Sequence, residues 1–182
     1  MKGLKAYILY GILFVSLLGT VLHFAYAWSG ERLFVGLFTP INESIWEHTK
    51  LLFFPMTVFS LLPFKKTHAQ YPCLRSGMRL GSLAGVFSII IFFYTYSGIL
   101  GFHTAAADIS IFYISVILAF SIAYKRALSC KAGPYESLLL WIQIVLLVLY
   151  VIFTLFPPDI ALFISPDTTT LKHANPWQYQ QW

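Results

Sequence analysis

Nine consecutive residues, Asn42-Glu43-Ser44-Ile45-Trp46-Glu47-His48-Thr49-Lys50, hold two carboxylates, an imidazole, an amide, two hydroxyls and an ammonium, in a chain with only seven acidic residues and five histidines. Carboxylate oxygen and neutral imidazole are ligands that suit a divalent metal such as zinc, which can acidify a bound water for hydrolysis. The same groups can also exchange protons directly. Glu47 and His48 are the catalytic candidates. Asn42, Glu43, His23, His103 and Asp108 are the binding candidates. A metal would draw its ligands from Glu43, Glu47, His48, His23 and His103. The order Glu-x-x-x-Glu-His is not the His-Glu-x-x-His of the zinc peptidases, and the chain has no Ser-His-Asp spacing, phosphate loop or dinucleotide fingerprint.

These groups must be positioned inside a membrane. Of 182 residues 58% are hydrophobic and 10% charged, and the mean hydropathy is +0.74, values that belong to polytopic membrane proteins. The fold class expected is all-α, a polytopic helical bundle of about five transmembrane helices forming one integral membrane domain over residues 1–182. Five apolar stretches approach the roughly 20 residues a crossing needs: 6–28, 42–64, 78–100, 105–124 and 135–156. Residues 157–182 form a tail.

The net charge of +5 does not point to nucleic acid, because the basic residues fall in short loops on one side of the membrane. Lys2, Lys5, Lys65, Lys66, Arg75, Arg79, Lys125, Arg126 and Lys131 share one side, which the positive-inside rule makes cytoplasmic. The N-terminus is then inside and the C-terminus outside, in a multi-pass protein of the cell membrane. Cys73 and Cys130 fall in cytoplasmic connections without metal-ligand spacing and read as free, reduced thiols. Residues 1–28 imitate a signal peptide with an Ala25-Tyr26-Ala27 cleavage site, but are expected to stay as the first span.

Along the chain, Gly19 and His23 share one face of the first span; His23 is either an interfacial residue on a packing face or a ligand. Leu33 to Thr39 is too short to cross and reads as interfacial or re-entrant. Asn42 or Ser44 can cap the next helix, which Pro55 should kink. Because 42–64 is barely a crossing long, Glu47, His48 and Lys50 fall inside the outer leaflet, where such groups face a bundle interior or a water-filled cavity. Glu43, Glu47 and Lys50 would share a helical face, so an ion-pair cluster that only fixes packing is the competing account. Gly77, Gly81 and Gly85 make a small-residue stripe that lets another helix approach, including that of a second copy in a homodimer. Tyr94 and Tyr96 read as an interfacial belt, and Asp108 either as a helix-start carboxylate or as part of the site. The tail, with Asp167 and His173, reads as a flap over the outer mouth.

Four of the five histidines (His23, His48, His103, His173) and six of the seven acidic residues map to the outer half, so they can converge on one outward-facing cavity. Pro40-Ile-Asn42-Glu43-Ser44-Ile-Trp46-Glu47-His48-Thr-Lys50-Leu51, with His23-Phe24-x-Tyr26 and Asp108-Ile-x-Ile-Phe112, resembles a family of small bacterial, mainly Gram-positive, membrane proteins described as a domain of unknown function. The resemblance covers nearly the whole chain up to the Phe163-x-x-Pro166-Asp167 region and implies a membrane protein without implying an activity. Three functions remain open: a site, metal-assisted or not, for a lipid head group or small polar ligand; a proton- or cation-coupled transporter component; and a non-catalytic assembly protein. The lipid bilayer is the common partner, and no nucleic acid is expected.

Overall fold

A computed structural model describes residues 2–166, so the expected flap from Asp167 onward, including His173, lies outside the described residues. Helix follows helix: α1 (Lys2–Trp28), α2 (Leu33–Gly36), α3 (Ile45–Leu61), α4 (Lys65–Gln70), α5 (Leu74–Leu100), α6 (Ala105–Ser129) and α7 (Glu136–Leu155), with 3-10 turns at Gly133–Tyr135 and Ala161–Phe163. The all-α membrane bundle is as expected. Among the described residues four helices are long and apolar enough to cross a membrane by themselves: α1, α5, α6 and α7.

The expected span 42–64 is instead α3, 17 residues long with 12 of them buried. Its charged and polar groups bar it from facing lipid, and the other helices enclose it. At about 1.5 Å per residue it still runs about 25 Å, and it lies antiparallel to α1 along that length. His48 meets His23, Gly19 lies against the Leu51 carbonyl, and Tyr7 packs on Phe59 and Phe64. Pro55 sits inside α3 and has no N–H for the Leu51 carbonyl four residues back. A Cβ on residue 19 would come within 2.6 Å of that oxygen, so only glycine lets α1 close over it.

The glycine stripe on α5 is consumed within the chain. Gly77 and Gly81 lie against the backbone oxygens of Ala123 and Ala119 on α6, and Gly85 against Leu52 of α3 and Ala119. The surface expected to be open to a second copy is therefore the α5–α6 seam. Gly101, at φ 76, ends α5, and the antiparallel return of α6 brings Cys73 and Cys130 to a Cα–Cα distance of 5.3 Å, where they form a disulfide. The free-thiol reading is corrected by that pairing: residues 57 apart in sequence become neighbours once the hairpin forms. Arg79 and Glu136 pair at 3.2 Å at the same end of the bundle, and the Tyr7–His68 ring contact places the start of α1 there too.

Candidate functional site

The opposite end carries the polar groups, and a short chain reversal sets their directions. After α1 the backbone turns at Gly30 (φ 71) and Glu31 (φ 59), runs through α2, and reaches Pro40. Asn42 Oδ1 accepts the Ser44 N–H at 2.9 Å, and Ser44 Oγ accepts the Glu47 N–H as the N-cap of α3. Because the helix starts at Ile45, Glu43 lies off it. The helical face expected to join Glu43 with Glu47 does not exist, and the two carboxylates go separate ways.

Glu43 turns toward two histidines. His23 on α1, Glu43 and His48 on α3 each offer one donor atom, and the three atoms lie within 4.8 Å of one another. The Ser44 carbonyl, 2.9 Å from His48 Nδ1, can only accept, so Nδ1 carries the proton. In the neutral ring Nε2 then presents a lone pair to Glu43 Oε2 at 3.2 Å. Two lone pairs at that separation repel unless a proton or a metal cation lies between them. His23 Nδ1 is buried and has no hydrogen-bond partner among the described residues, an arrangement that costs stability unless something else satisfies it. When His48 Nε2 carries the proton, the hydrogen bond it donates is the chief cause that holds the Glu43 carboxyl, in the loop ahead of α3, below its ordinary value.

Glu47 turns away from this group. Its Oε2 lies 2.7 Å from Lys50 Nζ, with both side chains buried, and it also accepts the Ile41 N–H at 3.0 Å. Lys50 Nζ donates further to the Gly36 carbonyl at 2.9 Å and to Thr154 Oγ1 at 2.6 Å. The ammonium thus satisfies a carbonyl at the end of α2, which a four-residue helix leaves open, and ties the reversal to α3 and α7. Thr49 joins the same support through Tyr150, their hydroxyls 2.6 Å apart. Of the two residues expected to be catalytic, His48 stands in the cluster and Glu47 stands in the frame behind it.

A third group faces the cluster from the α5–α6 turn. Asp108 Oδ2 accepts from His103 Nδ1 at 3.1 Å, Asp108 Oδ1 accepts from the Tyr96 hydroxyl, and Thr104 caps α6 by accepting from the Ala107 N–H. The carboxylate, accepting from Nδ1, orients the His103 ring. His23, Glu43, His48, His103 and Asp108 line one cavity of about 560 Å³, and Asp108 is near enough to act electrostatically on His48. Five of the seven expected site residues thus share a cavity; Asn42 shapes the turn and Glu47 the frame. Tyr96 and Thr154 were not singled out. Tyr96 could have been found because it and Asp108 lie six residues either side of Phe102 in the α5–α6 turn, whereas nothing in the sequence marks Thr154.

The chain belongs to the family of unknown function DUF6512, whose model matches residues 1–172. No curated protein and no solved structure matches it.

Proposed function

We propose that this protein is a membrane-embedded metalloprotein that holds one divalent transition metal, of the zinc type, on His23, Glu43 and His48, and uses it for hydrolysis in the adjoining cavity. The observation that carries this reading is the His23–Glu43–His48 cluster, with an orphaned buried imidazole nitrogen on His23 and His48 Nε2 3.2 Å from the Glu43 carboxylate. Two histidines and one carboxylate leave the fourth position of a tetrahedral zinc site open, as catalytic sites do. Metal–ligand bonds of about 2.0–2.2 Å imply ligand atoms about 3.3 Å apart, so donors within 4.8 Å need only small rotamer adjustments to close. The Ser44 carbonyl on His48 Nδ1 is the outer hydrogen bond that orients such a ligand.

A metal there would acidify a bound water and polarise a phosphoryl or acyl oxygen. His103, oriented by Asp108, would take the proton at Nε2 from the opposite wall. The positive-inside rule supports an orientation with the basic end of the bundle in the cytoplasm and the cavity on the outer side, whereas the Cys73–Cys130 disulfide at the basic end speaks for the opposite one.

The test is metal content of the full chain in detergent, stripped with chelator and reloaded with zinc. Wild type should retain one zinc per chain; His23→Ala, Glu43→Gln and His48→Ala should each lose most of it while keeping their circular-dichroism spectrum. Folded wild type that takes up no zinc, cobalt or manganese would refute the reading.

A further inference from the structure

Resting on the metal-site reading, we infer that the substrate is a membrane amphiphile: a hydrolysable polar head seated at the metal, with an acyl chain that leaves the cavity sideways, between α1 and α6, into the bilayer. The cavity's form carries this. α1 and α6 are in contact at Gly11, where Phe120 packs, and at Gly19, where Phe112 packs. Toward the polar end the hydroxyls of Thr20 and Tyr113 link the two helices, 3.0 Å apart. Further toward that end His23 and Phe24 of α1 and Ala105, Asp108 and Ile109 of α6 all border the cavity, so both helices contribute to its wall.

The walls of that gap are also outer surface. Phe24, Ile109 and Tyr113 line the cavity and are 48%, 57% and 38% exposed. They lie on two helices apolar enough to cross the membrane. Apart from the paired hydroxyls of Thr20 and Tyr113, the apolar lining therefore continues into the outer surface formed by Phe24 and Ile109. A water-soluble substrate gains nothing from such a side opening, whereas a lipid reaches the metal through it without leaving the bilayer. The polar groups gather at the end of the cavity where α3 and α6 begin, level with the head-group layer. A volume of about 560 Å³ suits a head and the first part of a chain.

The test uses the cobalt-loaded full chain in detergent and two hydroxamates, acetohydroxamate and octanohydroxamate, which share a metal-chelating head and differ by six methylenes. The cobalt absorption band reports metal occupancy before either is added and the head's arrival afterwards. Buried methylenes should make the octyl compound at least about tenfold tighter on wild type. In Ala105→Trp or Ile109→Trp, which fill the side opening without touching the three metal ligands, the ratio should fall to within about twofold while the cobalt band persists. Comparing ratios cancels the octyl compound's own partition into micelles. Equal affinities on wild type, or a preference that both folded variants keep, overturns the amphiphile while leaving the metal site standing. A wild type with no cobalt band overturns both. The two tryptophan positions lie on the exposed side of α6, so failure of one variant to fold leaves the other to decide.

Discussion

Lys50→Met should be among the most destabilising single changes in this chain, and its size follows from what Lys50 touches. The methionine keeps most of the stem volume and removes the three-proton head that now serves Glu47 at 2.7 Å, the Gly36 carbonyl at 2.9 Å and Thr154 at 2.6 Å. It leaves the Glu47 carboxylate buried with the Ile41 N–H as its chief donor. Breaking a buried pair by deleting one partner costs about 3–5 kcal/mol, and Glu47→Leu, which strands the ammonium instead, should cost a similar amount. The two penalties must not add. The double variant removes both charges and leaves only neutral orphans, the Gly36 carbonyl and the Ile41 N–H, at about 1–3 kcal/mol each. Sodium dodecyl sulfate titration in mixed micelles, followed by circular dichroism, would measure all four members of the cycle. A coupling energy of about 3 kcal/mol or more is expected between residues in contact through a buried charge pair. Both single variants should also release bound metal, because the reversal that aims Glu43 is tied down by this network. Additive penalties, or a Glu47→Leu protein of undiminished stability that has lost its metal, would refute the argument and return Glu47 to the ligand set.

Two further outcomes separate packing from propensity and from cross-linking. Gly81→Ala should destabilise by about 1–3 kcal/mol through overpacking against the Ala119 carbonyl, whereas Gly98→Ala, with nothing within 4 Å of the new carbon, should gain up to about 1 kcal/mol from helix propensity; the same detergent titration reads both signs. For Cys73→Ser/Cys130→Ser, the chain-entropy relation for a 57-residue separation gives about 4 kcal/mol for an unstructured reference chain. In a membrane α5 and α6 stay helical and inserted when the tertiary structure opens, so the measured loss should stay below about 2 kcal/mol; a loss at the full value would mean that this reference state is wrong.

What the sequence made legible, and what it did not, divides along one physical line. Composition, span placement and the concentration of polar groups at one end depend on local apolarity and on charge sidedness, and both can be read residue by residue. The roles of individual carboxylates depend on where a helix begins. Starting α3 at Asn42 puts Glu43 and Glu47 on one face as a pair of ligands. Starting it at Ile45, behind a Ser44 cap and an Asn42 turn, sends one carboxylate to two histidines and the other to a lysine. A shift of three residues, inside the uncertainty of a helix boundary read from sequence, therefore decides which acid meets the histidines and which the buried lysine. The Glu47–Lys50 pair was legible from its spacing of three residues and is present at 2.7 Å; the lysine's other partners, a carbonyl fourteen residues back and a hydroxyl 104 residues on, have no sequence signature. The Cys73–Cys130 bond likewise exists only once α5 and α6 have found their register. Glu47, expected to be catalytic, is the residue whose charge Lys50 neutralises, as the competing ion-pair account had it, and the same network ties down the turn from which Glu43 and His48 face His23.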